Sequence, residues 1–260
     1  MNNKLAVITG ASSGIGKEFA YQLHTLGYDL MLVARREGYL QKIADDLNQI
    51  RLNSVSYLKL DLVNSEDCEK LEVFISQSKV TLLVNNVGRG SYGYFEDISR
   101  GLESDMVLLN AIVPLRLSHS AIPYMKSIKE GGIIFISSVA GFQPLPYMST
   151  YSATKAFNLH QSIALHRELK EFNIQVTVVC PGPVDTEFGG VARVPGTITG
   201  IKRELTKTVV RESINGFLNK KLIVIPGIRS KLMIFLLKII PISISTFIVS
   251  RLISPKKLLG

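Results

Sequence analysis

The chain has little with which to build a cross-linked or metal-held structure. Its 260 residues include two cysteines, Cys68 and Cys180, four histidines and no tryptophan. Two thiols cannot form a disulfide framework or a four-thiolate centre, and no His-Glu-x-x-His or other zinc spacing occurs, so no metal is expected. Met1-Asn2-Asn3-Lys4 leads straight into a short apolar run that ends at Thr9-Gly10. A signal peptide needs a longer apolar core and a small-residue cleavage site, so the sequence reads as one that starts in the cytoplasm. Charged residues make up only 20% and hydrophobic ones 46%. That balance excludes wholesale disorder and supplies core for one large domain. Acidic residues are missing altogether from residues 219–260, which hold eight Lys and Arg and so eight of the nine net positive charges. The body before them stands at +1. The basic excess belongs to the tail, whose only aromatics are Phe235 and Phe247, and no nucleic-acid partner is expected.

Short apolar runs recur at residues 5–9, 29–34, 55–59, 80–84, 132–137, 175–180 and 222–225. Each is bounded by turn residues. Between them, residues 17–26, 37–51, 65–77, 98–128 and 151–172 place apolar side chains at helical spacing. Unbroken apolar strands alternating with helices imply a parallel sheet covered on both faces. The expected fold is α/β: a Rossmann-type doubly wound parallel sheet of about seven strands with a helical C-terminal extension. Residues 1–227 are expected to form one domain and residues 228–260 a basic, apolar extension without independent domain character.

Thr9-Gly10-Ala11-Ser12-Ser13-Gly14-Ile15-Gly16 follows the first expected strand and opens the first helix. Gly10 permits a tight turn, Gly14 lets backbone N–H groups approach a pyrophosphate, and Gly16 lets the helix pack closely on the sheet. The helix from about Ile15 presents unpaired N–H groups and a positive end to an anion. The loop resembles that of the short-chain dehydrogenase/reductase family, and further matches cover most of residues 5–190. Asp61-Leu62 corresponds to the family's adenine-contacting pair. Asn85-Asn86-Val87-Gly88 matches the family's Asn-Asn-Ala-Gly motif, with Val87 in place of alanine. The resemblance therefore places Ser12, Ser13, Asp61, Leu62, Asn86, Val87 and Gly88 around a nicotinamide dinucleotide.

The second strand separates the two nicotinamide cofactors. An enzyme for NAD places an acidic residue near its end to hold the ribose 2′-hydroxyl. Here the strand ends Val33-Ala34-Arg35-Arg36, with Ala34 at the acidic position. Arg35 and Arg36 suit charge-assisted bonds to a 2′-phosphate. NADP(H) is the expected cofactor, ahead of NAD(H).

Tyr151-Ser152-Ala153-Thr154-Lys155 carries the most chemical content. Tyr151 and Lys155 at i and i+4 share one helix face, so the ammonium can sit near the phenol and lower its pKa toward neutrality. In the family, a catalytic serine stands thirteen residues upstream, which selects Ser138 over Ser137. Its hydroxyl holds the substrate oxygen as charge develops there. Asn110, in Leu108-Leu109-Asn110-Ala111, matches the fourth catalytic member, which kinks a long helix and helps hold a water. Pro181-Gly182-Pro183-Val184-Asp185-Thr186 resembles the family's Pro-Gly loop against the nicotinamide, with Pro181, Gly182, Val184 and Thr186 in contact. The resemblance implies hydride transfer to a carbonyl carbon, or the reverse from a secondary alcohol. Tyr151 moves the proton, Ser138 polarises the oxygen, and Lys155 holds the ribose. A non-catalytic NADP(H)-binding regulator is the alternative on the same fold.

Residues 187–221, with Gly189-Gly190, Pro195-Gly196 and Gly200, are expected to form a mobile substrate cover. Phe142-Gln143-Pro144-Leu145-Pro146-Tyr147-Met148 is expected to form the other wall, favouring an apolar carbonyl substrate. In style the chain resembles the branch containing bacterial reductases related to 3-oxoacyl-CoA and 17-beta-hydroxysteroid reductases. Residues 232–250 are nearly long enough to span a bilayer but contain Lys238 and Pro241. Beyond Pro241, Ser243, Thr246, Ser250 and Ser254 fall on one helical face, which implies an amphipathic helix. Three uses are open for this tail: a membrane surface, packing on the body or a second subunit with a part in the dimer or the substrate channel, or a spanning helix. The long helices resemble those through which the family forms homodimers and homotetramers.

Overall fold

A strand that is apolar at every position must be covered on both sides, and the arrangement of this chain follows from that requirement. The computed structural model describes residues 4–192 and 203–255. Seven parallel strands stand in the order β3-β2-β1-β4-β5-β6-β7. They are β1 Leu5–Thr9, β2 Asp29–Ala34, β3 Val55–Lys59, β4 Val80–Asn85, β5 Gly131–Ile136, β6 Ile174–Val179 and β7 Ile223–Val224. Neighbouring residues along a strand point to opposite faces. Val7, Leu83 and Ile133 stand in register and enter the core beneath the helices α3 Ser65–Gln77, α5 Val113–Ile128 and α6 Ser149–Glu168. Ile8, Val84 and Ile134 enter the opposite core, with Phe19, Leu23 and Leu40 of α1 Gly14–Thr25 and α2 Glu37–Asn48.

Strand order reverses between β1 and β4, where the chain leaves β1 for one side and returns on the other. A crevice opens at the carboxyl ends of the strands at such a point. The long helix of residues 98–128 is α4 Arg100–Val107, a π-helical turn Leu108–Ile112, and α5. By length and apolarity Arg100–Ile128 could cross a membrane, but Met106, Asn110, Leu117 and Met125 are buried against the body.

The expected glycine-rich cover is only partly a cover. After the short helix α7 Phe188–Val191, residues 206–218 form a regular helix, α8 Thr206–Leu218. Val209, Val210, Ser213 and Ile214 are buried at helical spacing, and α8 packs beside α1. Its apolar period was present in the sequence, masked by the glycines and proline that precede it. Pro195-Gly196 and Gly200 lie outside the described residues.

After Gly227 the chain forms α9 Ile228–Leu237 and α10 Ile242–Leu252, separated at Lys238–Pro241. Neither approaches the roughly 20 residues of a spanning helix. The amphipathic pattern beyond Pro241 does form a helix, but its apolar side is not packed on the body. Ile242, Ile244, Phe247 and Leu252 face outward while Ser245 is buried.

Because α8 closes one face of the sheet, it should unfold with the core. Ile214→Ala is expected to cost about 2–4 kcal/mol, the usual range for a truncated core side chain, read from the urea midpoint. A loss below about 1 kcal/mol would place this helix outside the cooperative core.

Candidate active site

The crevice is built from the carboxyl ends of β1, β4, β5 and β6. Gly16 must be glycine, since a Cβ there would stand 2.3 Å from the Gly10 carbonyl oxygen. Asn86 holds this packing: its Nδ2 donates to the carbonyls of Thr9 at 2.9 Å and Gly10 at 3.2 Å. The Thr9 hydroxyl donates to the Val84 carbonyl and accepts from the N–H groups of Asn86 and Val87. Asn64 and Ser99 cap α3 and α4 through their side chains, but Ser13 does not cap α1. The first turn of α1 contains no acidic side chain either. Its N–H groups remain available to an anion. They border an open cleft of about 570 Å³ lined by Ser12, Ser13, Gly14, Lys17 and Thr186 among others.

Arg35 and Arg36 stand at the outer end of this cleft. Arg36 donates to the Ser12 hydroxyl at 3.3 Å, pairs with Glu187 at 2.9 Å and lies over the Tyr39 ring. Arg35 reaches Asp61 at 3.8 Å. Leu62 is buried beneath Asp61, and the Asp61 carboxylate accepts from the Val63 N–H. The two guanidinium groups are therefore directed by acids and by Ser12 along the crevice, beside the end of β2.

At the inner end four side chains converge. Ser138 stands two residues beyond β5 and caps a 3-10 turn, Val139–Phe142, by accepting from the Ala140 N–H at 3.1 Å. That turn lies tightly on α6, because a Cβ on Gly141 would approach the Lys155 carbonyl oxygen to 2.8 Å. Ser138 thus comes near Tyr151, whose phenol pKa its hydroxyl pulls down. Lys155 is buried and donates from Nζ to the Ile136 carbonyl at 2.9 Å. Ser137 donates to the Lys155 carbonyl at 2.7 Å, the backbone role that its strand-end position implies. Asn110 sits in the π-helical turn, fully buried. It clamps Arg89 at two points, accepting from its N–H and donating to its carbonyl, each at 2.9 Å. Gly88 passes between the two: a Cβ there would lie 3.1 Å from Asn110 Oδ1 and 3.6 Å from Lys155 Nζ.

The Pro181–Thr186 loop closes the crevice. The Pro181 carbonyl accepts from the Val139 N–H and, at 3.5 Å, from the Ser138 hydroxyl. Val184 bridges to Glu204, and the Thr186 methyl faces Gly14. Of the residues singled out from the sequence, Ser12, Ser13, Gly14 and Thr186 line the cleft beside α1.

Several contributors carry no such signal in sequence. Asn158 donates to the Asn110 carbonyl at 2.8 Å, satisfying an oxygen at the π-helical turn. Thr154 accepts from Asn110 Nδ2 at 3.1 Å. Phe188 covers the site, its ring 5.4 Å from that of Tyr151 and pressed against Gly90. Asn158 falls seven residues after Tyr151 on the same helix face, which was the one available hint.

Burial governs the electrostatics. It pushes the Tyr151 phenol up to about 12, with the Ser138 hydroxyl pulling the other way. It pulls the Lys155 ammonium down to about 8. The expected lowering of the tyrosine by the lysine is therefore not achieved by the protein groups alone. The ammonium stands 5.7 Å from the ring centroid and is engaged by Ile136. The phenol is held protonated.

A family model described as short chain dehydrogenase matches residues 4–195. A very-long-chain 3-oxoacyl-CoA reductase of Ajellomyces capsulatus is 33% identical over 213 residues, which are 79% of this chain and 62% of the relative. The chain thus spans less than two thirds of that relative's length. Among solved structures, a short-chain dehydrogenase from Sphingobium yanoikuyae in complex with NADPH is 31% identical. It aligns with a TM-score of 0.84 over 90% of this chain and 92% of its own. The bulky-bulky ketone specific alcohol dehydrogenase from Comamonas testosteroni is 28% identical, with a TM-score of 0.79 over 93% and 96%.

The Lys155 value has a consequence for stability. The folded chain releases this proton at about 8 and the unfolded chain near 10.5. Below 8 the buried charge therefore opposes folding, and the penalty fades as pH rises from 8 to 10.5. Lys155→Met should unfold at higher urea than the parent at pH 7, by up to about 3 kcal/mol less the lost bond to Ile136. The advantage should shrink above pH 8. Equal midpoints at pH 7 would contradict a destabilising charge.

Proposed function

The chain belongs to the short-chain dehydrogenase family, and from that premise we propose that it is an NADP(H)-dependent oxidoreductase reducing the carbonyl of a bulky apolar substrate. The observation that carries this reading is the grouping of Ser138 near Tyr151, of the Lys155 ammonium 5.7 Å from the Tyr151 ring, and of Asn110 and Lys155 on either side of Gly88. A non-catalytic regulator on the same fold has no need of that convergence.

The cofactor, when bound, supplies or accepts the hydride. Gly10, Ser12, Ser13, Gly14, Ile15 and Gly16 would hold its pyrophosphate at the uncapped end of α1. Asp61, Leu62, Asn86, Val87 and Gly88 would line the adenosine side, and Pro181, Gly182, Val184 and Thr186 the carboxamide side. Tyr151, kept protonated by burial, gives its proton to the carbonyl oxygen. The Ser138 hydroxyl bonds to that oxygen as negative charge develops on it. Lys155 faces the ribose beside Gly88, and its ammonium stabilises the phenolate left after transfer. Asn110, fixed by Arg89 and Thr154, keeps the π-helical turn and the lysine in register.

The absence of an acid at the end of β2, with Arg35 and Arg36 following, supports NADP(H) over NAD(H). The NADPH held by the Sphingobium enzyme supports the same choice. A 2′-phosphate would take Arg36 from Glu187. Phe188, Tyr92, Leu145 and Met148 pack about Tyr151 and favour an apolar substrate. The named relatives act on 3-oxoacyl-CoA and bulky ketones, and a long 3-oxoacyl thioester fits that wall. Exposed Leu108, Ile112 and Leu115 on the long helix, with Phe157 on α6, support self-association.

Two measurements test this. Tyr151→Phe should lower NADPH oxidation with a long-chain 3-oxoacyl-CoA by at least about a hundredfold, with NADPH binding unchanged by fluorescence titration. Replacing Arg35 and Arg36 by alanine should weaken NADPH binding by roughly 10–100-fold, the worth of charge-assisted bonds to phosphate, and leave NADH binding nearly unchanged. Full turnover in the first variant, or equal loss for both cofactors in the second, contradicts the respective assignment.

A further inference from the structure

α9 and α10 are built inside out. A surface helix of a soluble protein turns its apolar side to the core and its hydroxyls to water. Here Ser230 and Ser245 are buried, at 6% and 5% exposure. Leu232, Phe235, Ile239, Ile242, Phe247 and Leu252 stand between 59% and 67% exposed. The inward contacts are specific. The Ser230 hydroxyl sits where a Cβ on Gly182 would be, 2.4 Å away. The Tyr92 hydroxyl donates to the Ile253 carbonyl at 2.8 Å, and Thr246 faces a cleft of about 440 Å³ with Phe142 and Leu145. The helices are therefore fastened to the body through Ser230, Ile234, Ser245 and Thr246, leaving most of their leucine, isoleucine and phenylalanine side chains outward. Contiguous apolar surface of this kind marks an interaction site.

Charge decides which partner it suits. Residues 219–260 contain no carboxylate to balance their eight cations. Among the described residues, Arg229, Lys231, Lys238 and Arg251 lie in or between the two helices, and only Lys231 reaches an acid, Glu212 at 3.9 Å. A two-fold contact between copies would set this patch against itself and bring like charges together. An anionic lipid surface offers both what the leucines and phenylalanines need and counter-charge for the cations. We propose that α9 and α10 form a docking surface for anionic lipid bilayers, lying in the interface plane rather than crossing it. The proposal is independent of the reaction assigned to the crevice.

The test is sedimentation of the full chain with vesicles. Vesicles of phosphatidylcholine containing roughly one third phosphatidylglycerol should carry the protein down, and those of phosphatidylcholine alone should carry much less. Raising salt should weaken the binding. Phe235→Ser with Phe247→Ser should reduce binding at least about tenfold, given the apolar area two phenyl rings bury. Arg229→Gln, Lys238→Gln and Arg251→Gln together should reduce it about a hundredfold on anionic vesicles. All five side chains are exposed, so circular dichroism and thermal melting should match the parent. No sedimentation with anionic vesicles at low salt overturns the proposal. So does equal sedimentation of the double phenylalanine variant. Light scattering without lipid supplies the remaining check: a self-association abolished by the phenylalanine changes, with no vesicle binding, assigns the face to a second copy instead.

Discussion

The buried ammonium of Lys155 is the constraint on which the site depends. A cation taken out of water at this depth is costly unless polar groups face it, and the fold supplies few. Among the described residues the Ile136 carbonyl is its one hydrogen-bond acceptor. A charge held with unfilled hydrogen-bonding capacity, next to a buried phenol, is a site waiting for a polar partner. That partner is the ribose in the proposed reading, and its binding would return part of the energy that folding lost. The parts around Lys155 follow from the same need. Ser137 fixes its backbone, Gly141 brings the serine turn against it, and Asn110 holds the chain opposite.

Asn110 explains why the long helix is irregular. A π-helical turn is a local fault in an α-helix and is found mainly at functional positions. Here it leaves the Asn110 carbonyl accepting from Asn158 and turns the Asn110 side chain to Arg89. The helix gives up regularity at the one place where its side chain must meet the loop after β4. The same loop carries Asn86, which ties together the Gly10 turn and the end of β1. Phosphate end and reacting end are thus joined through residues 85–89, and displacement at either is transmitted through a few hydrogen bonds.

Much of this was legible in the sequence, for identifiable reasons. Strands buried on both faces announce themselves as unbroken apolar runs, and all seven appear within about two residues of their expected bounds. The glycine loop is legible because its function demands absence of side chains at fixed spacing, as Gly16 against Gly10 shows. What could not be read depends on approach between distant segments. Asn158, Thr154 and Phe188 carry no local pattern, and their partners are 44, 48 or more than 35 residues away in the chain. The tyrosine shift was misjudged because i, i+4 spacing reveals proximity to a cation but not depth of burial, and burial outweighs it. α8 was hidden by its neighbours in sequence. The outward turn of the tail was hidden because amphipathic spacing fixes that two faces differ, not which one meets the body.

The mouth of the crevice shows how these distant segments act together. Tyr147 holds a φ of +63°, a left-handed backbone that a bulky aromatic residue adopts at a cost of about 1–3 kcal/mol. Its carbonyl accepts from the Gly93 N–H, and its ring meets Tyr94 edge-on at 5.4 Å. The loop after β4 therefore holds the segment that leads into α6, and Tyr92 in that loop also holds Ile253 of the tail. Strain is tolerated here because three segments over-determine the position. The result is a cluster of Tyr92, Tyr94 and Tyr147, the last standing four residues before Tyr151, tied to Ile253 of the extension. The tail thus touches the body at Tyr92 through Ile253, at Gly182 through Ser230, and at Phe142 and Leu145 through Thr246, all in loops beyond the carboxyl ends of the strands rather than in the sheet itself.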